Sequence, residues 1–177
     1  MLVELLRTRR SIRQFEKRPV EKEKVDQIVE AALRAPSSRG VNPWHFVVVA
    51  DPETLGNLSK AKPHGAAFLK NAPLAVVVCA DPSVSDVWVE DASIASIIVH
   101  LAATDLGLGS CWIQIRKRPH ESGTSAGGHI AGLLNLPENL EVESIVAIGY
   151  PAEEKKGHPE ESLQREKVSF EAYGKTE

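Results

Sequence analysis

The chain reads as a single α+β domain, a small buried sheet sandwiched between helices. Two observations predict it. Four short runs rich in β-branched residues, at 44–50, 74–80, 110–115 and 142–151, are separated by helical patterns rather than by two-residue hairpin turns. Between the second and third lies a long stretch, 84–106, with apolar residues on several faces, as expected of a central helix covered on most sides. A doubly wound nucleotide fold is the competing architecture. No strand here, however, is followed by GxGxxG or GxxxxGK[ST], the turns that hold a phosphate at a helix N-terminus. At 177 residues, 42% of them hydrophobic and 25% charged, the chain is long enough for one well-buried core and short for two.

Each element has its own signal. Leu2, Leu5 and Leu6 sit at helical spacing, predicting a short first helix that ends at the arginines of "RTRRSIRQF", residues 7–15. In the next helix Val25, Ile28, Val29, Ala32 and Leu33 form one apolar stripe, and Pro36 stops it. "WHFVVVA" (44–50) closes at "DPE", a helix start leading into 53–61, and "LAVVVCA" (74–80) is a second buried strand that holds Cys79 in the core. Gly107 and Gly109 end the long helix before "SCWIQI" (110–115). "RKRPHESGTSAGG" is a loop, "HIAGLLNL" a short helix, and "VESIVAIGYP" (142–151) a last strand stopped by Pro151. The final residues, from 152, carry no core pattern and are expected to wrap over another surface such as a second subunit.

Charge and cysteine content exclude several functions. A formal net charge of −3, with no basic stripe beyond residue 18, argues against nucleic acid, although the arginines with Trp44 or Trp112 would be its natural contacts. No run approaches the ~18–20 apolar residues of a membrane span. "MLVELLRTRR" meets charge too soon for a signal-peptide core, so the expected location is the cytoplasm. Cys79 and Cys111 form no CxxC, and His45, His64, His100, His120, His129 and His158 show no metal spacing, so no metal is expected. There is no GxSxG elbow. Glu90 and Asp91 diverge by ~100° on a helix, and a helix partner or the helix surface explains them better than paired catalysis.

Three stretches are candidates for chemistry. "RRSIRQF" is either a solvated basic turn or an anion site, in which arginine forks and the Ser11 hydroxyl match phosphate oxygens. "APSSRGVNPWHF" (35–46) is either a helix stop with a strand start or a polar lining for a planar ligand, through Ser37, Ser38, Arg39 and Asn42. "GLGSCWIQI" (107–115) is a helix C-cap feeding a strand, or a backbone that glycine lets approach a flat ring.

Together these stretches resemble the nitroreductase family of FMN-dependent oxidoreductases. The likeness runs through "RRSIRQF", "APSSRGVNPWHFVVV", "EDASIASIIVHLAATDLGLGSCWI", "IVAIGYPAE" and "REKVSFEAYG", in order over nearly the whole chain. The resemblance implies a nitroreductase-like three-layer sandwich, a small mixed sheet flanked by helices, in an intertwined homodimer with one FMN in each of two interface clefts. It implies one domain over 1–177, with 150–177 an extension packing on the partner. By position, Arg9 and Arg13 are expected at the FMN phosphate, and Arg10 and Ser11 at neighbouring oxygens. Pro36, Ser37, Ser38 and Asn42 would reach the flavin from the other subunit, and Cys111, Trp112 and Ile113 would lie beside its ring. Lys156 and His158 are the expected late basic residues.

The reaction implied is hydride transfer from NADH or NADPH to FMN and then to a nitroaromatic, quinone or other electron-poor acceptor, in ping-pong order. The cofactor carries the chemistry, so no side-chain acid or base is required. A non-catalytic flavin-sequestering protein, and a dehalogenase or flavin-fragmenting enzyme of related fold, are the alternatives.

Overall fold

The computed structural model describes residues 1–175; Thr176 and Glu177, the end of the expected 150–177 extension, lie outside the described residues. Five helices, α1 (Leu2–Thr8), α2 (Lys22–Leu33), α3 (Pro52–Leu58), α4 (Trp88–Asp105) and α5 (Ala126–Leu134), surround four strands: β1 (Trp44–Val49), β2 (Leu74–Ala80), β3 (Gly109–Gln114) and β4 (Glu141–Gly149). The strand order is β1-β2-β4-β3 and every neighbouring pair is antiparallel. The expected mixed character survives only at one edge, where Ser11 makes a parallel bridge to Ser110 of β3.

Both faces of the sheet are covered, which is why its central strands read as continuous apolar runs. All seven residues of β2 are buried. On one face Val76, Val78, Val146 and Ile148 pack against Ile28 and Ala32 of α2 and Val99 and Ala103 of α4. On the other, Val77, Ile145, Ala147 and Ile113 meet Leu55 and Leu58 of α3, Leu69, and Ile130 of α5. Lys24 Nζ donates to the Leu106 carbonyl and Tyr150 Oη to Glu21, tying α2 to the end of α4 and to the chain leaving β4.

Local chemistry moves some predicted boundaries. The long helix begins at Trp88, not Val84, because Asp81 captures Ser83 N at 2.8 Å and Ser83 Oγ at 2.6 Å and turns the chain first. In contrast, α5 starts earlier than expected, since Ser125 Oγ accepts from Gly128 N at 2.9 Å and caps it. Leu33 leaves the α2 stripe and is exposed; it is the helix's last residue, beyond the buried Ile28 and Ala32. Gly107, at φ +74°, is the expected C-cap of α4. Gly109 is not a cap: a Cβ there would lie 2.9 Å from the Ile12 side chain, so the residue is glycine because another segment of the chain crosses it.

Candidate functional site

That crossing builds the first half of the site. The chain leaves α1 at Arg9 in extended conformation, and Ile12 drops its side chain onto Gly109 while its N–H donates to the Ser110 carbonyl at 3.0 Å. Ser11 is thereby fixed beside Ser110, with Arg9 and Arg13 on either side of it. Cys111 is buried beneath them. Burial raises the pKa of its thiol, opposed by the nearby positive charges of Arg13, Lys155 and Arg9 from two segments of the chain. His100 Nδ1 lies 2.7 Å from Ser110 Oγ, and burial, with the Arg9 charge, pushes the imidazole down to about 4. It stays neutral behind the cluster, as a structural histidine should.

The segment after β4 completes the cluster. It runs extended against residues 14–16, with Glu16 N donating to the Tyr150 carbonyl and Ala152 N to the Gln14 carbonyl, both at 2.9 Å. Glu153 accepts from Arg13 N at 2.6 Å and Gln14 N at 3.2 Å, and these backbone donors, with Lys155, lower its pKa. Lys155 Nζ reaches the Ser11 carbonyl at 3.0 Å and Glu153 at 2.9 Å. These hydrogen bonds place the side chains of 153 and 155 together on the cluster's side. Lys156 instead offers its carbonyl to Arg10 Nη1, and His158 lines a groove with Val3, Leu6 and Arg7 of α1. The late basic residue in the cluster is therefore Lys155 rather than the expected Lys156 or His158, a placement set by tertiary pairing and not by sequence pattern.

Among the described residues neither the Arg9 nor the Arg13 guanidinium has a carboxylate within 4.0 Å, although Glu153 accepts from the Arg13 backbone N–H. The Arg13 guanidinium lies 5.8 Å from the Phe68 ring, at the mouth of a groove of about 740 Å³ that continues past Phe15 to Lys70 and Pro73. Cys111 and Ile113 point to the α3/α5 face of β3 and Ile113 is core. Trp112 points to the α4 face, half-buried, and its Nε1 has no partner. Three consecutive strand residues cannot present their side chains to one ligand.

The second predicted segment is a separate, tightly braced loop. Ser37 Oγ donates to Asn42 Oδ1 at 2.7 Å and accepts from Asn42 N at 2.8 Å. Between them Arg39, Gly40 and then Asn42 itself adopt left-handed φ of 55°, 66° and 52°. Pro36 is exposed ahead of the loop. This loop enters β1 at Trp44, which aligns with Ala80 at the far end of β2, whereas Ser110 aligns through Ile148 with Leu74 at the near end. Three strand spacings across the sheet and six residues along β2 set the loop and the arginine cluster roughly 25 Å apart, at diagonal corners. Within one chain no single planar ring touches both.

No group of three or more His, Cys, Asp or Glu is placed to hold a metal among the described residues, and none of their helices is long and apolar enough to cross a membrane. The fold is a two-faced α+β sandwich with an arginine cluster at one sheet edge and a braced polar loop at the opposite corner. The family model described as the Nitroreductase family matches residues 6–150, and the chain belongs to that family. A solved structure of an FMN-dependent nitroreductase from Clostridium difficile is 48% identical and superposes with a TM-score of 0.95 over 97% of this chain and 99% of its own. A protein of Archaeoglobus fulgidus named "Putative NADH dehydrogenase/NAD(P)H nitroreductase" is 43% identical over 157 residues, 86% of this chain and 87% of that one. An iodotyrosine deiodinase of Thermotoga neapolitana is 25% identical over 191 residues, covering 90% and 93%.

Proposed function

We propose that the protein is an FMN-dependent NAD(P)H oxidoreductase that works as a homodimer and passes reducing equivalents to a nitroaromatic, quinone or similar electron-poor acceptor. The observation that carries the reading is the pair Arg9 and Arg13, whose guanidinium groups have no carboxylate partner, gathered with Lys155 near the buried Cys111. That donor set fits a phosphate monoester: arginine forks supply paired N–H donors, and Lys155, its charge shared with Glu153, adds a further N–H donor. FMN held there would supply the two-electron redox chemistry that links a nicotinamide donor to the acceptor.

The chain's own residues do the rest. Arg9, Arg13 and Lys155 hold the phosphate, Arg10 and the Ser11 hydroxyl bind adjacent oxygens, and the β3 backbone at Cys111–Ile113 supports one side of the ring. Pro36, Ser37, Ser38 and Asn42 come from the second copy, since each chain's own loop lies roughly 25 Å from its arginines. One cleft serves donor and acceptor in turn, which makes the kinetics ping-pong.

A visible absorbance spectrum of the purified protein, followed by anaerobic addition of NADH and then NADPH, tests the reading. A flavin spectrum that bleaches supports it, and a protein that takes up no added FMN refutes it. Arg13→Ala should weaken FMN binding by about 1.5–3 kcal/mol, through loss of a charge-assisted partner. The similarity to a deiodinase gives a second reading, reductive dehalogenation of an aromatic halide. Steady-state assays of the reduced enzyme with a nitroaromatic, a quinone and an iodophenol separate the two.

A further inference from the structure

Two carboxylates are buried away from the cluster, Glu143 of β4 and Asp91 of α4. Asp91, in the first turn of α4, is 2% exposed, and no lysine, arginine or histidine pairs with it among the described residues. Its Oδ1 accepts from Ser38 N at 2.8 Å and its Oδ2 from Ser85 Oγ at 3.1 Å; Ser85 is equally buried. An unpaired carboxylate in such a place is costly unless its hydrogen bonds are needed. Here they tie a rigid helix to a loop with three left-handed residues, a conformation that persists only when its surroundings impose it.

We infer that Asp91 is a positioning residue for the flavin site of the other subunit: it fixes Ser38, and with it the Ser37–Asn42 brace, to the end of α4. This rests on the functional reading above and adds to it a residue and a direction of action. Asp91 touches neither cofactor nor substrate. It acts through Ser38 N, and the loop it fixes lies at the corner of the sheet opposite its own arginines. Its effect therefore falls on the cleft whose arginines belong to the partner. The hydrogen-bond acceptor matters more than the charge, because Asn in the same rotamer can still accept from Ser38 N and can donate to Ser85 Oγ.

Mixed dimers test this directly. The Asp91→Ala homodimer should bind FMN roughly tenfold or more weakly, and Asp91→Asn should stay within about threefold of the wild type. A chain carrying Asp91→Ala is then co-expressed with one carrying Arg9→Ala and Arg13→Ala, each with its own tag, and the mixed dimer is purified through both tags. One of its clefts combines intact arginines with an intact loop, and the other combines both defects. The expected result is one tightly held, NADH-reducible FMN per two chains. If the mixed dimer holds no tight flavin, Asp91 acts on its own cleft or on the fold at large, and the inference is overturned. Should the Asp91→Ala chain fail to assemble, Asp91→Glu keeps the buried carboxylate while displacing Ser38 and gives the same readout. A wild-type chain without FMN, or an Arg9→Ala/Arg13→Ala homodimer that keeps it, overturns the functional reading and this inference together.

Discussion

Along α4 the face turned to the sheet is built from Ala92, Ala95, Ser96, Val99, His100 and Ala103, whereas the face turned away carries Ile94 and Ile97. A helix that met only its own sheet would be expected to place its large apolar side chains inward. The inner face is small because the helix sits close to the strands and makes polar ties to them: Ser96 Oγ to Ser144 Oγ at 2.7 Å, and His100 to Ser110. The outer face is large and leaves Ile94 39% and Ile97 37% exposed. One face specifies the monomer's packing. On the dimer reading the other is the surface a second copy covers, and the same helix then aligns the two half-sites.

The largest effect should come from the outer face. Replacing Ile94 and Ile97 together by Asp should leave the chain folded, render it monomeric in sedimentation, and weaken FMN uptake roughly hundredfold or more, because neither cleft is then complete. A double variant that stays dimeric and yellow would break the contrast. The inner face should respond in the opposite manner. Ala95→Leu adds three carbons where Ala95 meets Trp44 and Ala35, and should cost about 3 kcal/mol in a denaturant titration of the chain itself.

How much of this was legible depends on how local the cause is. The four strands and the α2 and α4 helices follow from residue types and periods, and the N-terminal arginines and the 36–42 loop were singled out from their donors. The features missed are tertiary. Asp91 and Glu90 together are assigned from sequence to a helix partner or the helix surface, and only the place of Asp91 one residue before Ala92 and four before Ala95, on the small-residue stripe, favours the partner. Gly109 looked like a cap because nothing nearby in sequence announces that Ile12 crosses it. Lys155 and Lys156 are indistinguishable as types, and only the pairing of residues 150–152 with 14–16 decides which one faces the cluster.

A moderate effect belongs to the polar ties on the inner face. Burial holds the His100 imidazole near 4 in the folded chain against 6.5 for the free group. Between those values the unfolded chain binds a proton that the folded one refuses. The contribution is complete above the unfolded value and is lost as pH falls towards the folded one, about 2 kcal/mol by roughly pH 5. His100→Gln removes that titration. Stability curves for the two proteins should therefore run parallel above neutrality and converge on acidification. Curves that stay parallel throughout would mean that the folded chain protonates the imidazole as readily as the unfolded one.

The smallest effect sharpens the same contrast within one short segment. Asp86 and Asp91 both brace the 37–42 loop, the first through an ion pair with Arg39 at 2.8 Å and the second through Ser38 N at the same distance. Equal distances do not mean equal weights. The Arg39 and Asp86 side chains are 68% and 80% exposed, so water screens the pair and competes for both ends, and such pairs contribute between nothing and about 1 kcal/mol. Asp86→Asn should shift FMN affinity and unfolding free energy by no more than about 0.5 kcal/mol, and that shift should vanish in high salt. Asp91, shielded from water, should be indifferent to salt. If Asp86→Asn loosened the flavin as much as Asp91→Ala does, the loop would be held by its exposed rim, and burial would not be what distinguishes the two aspartates.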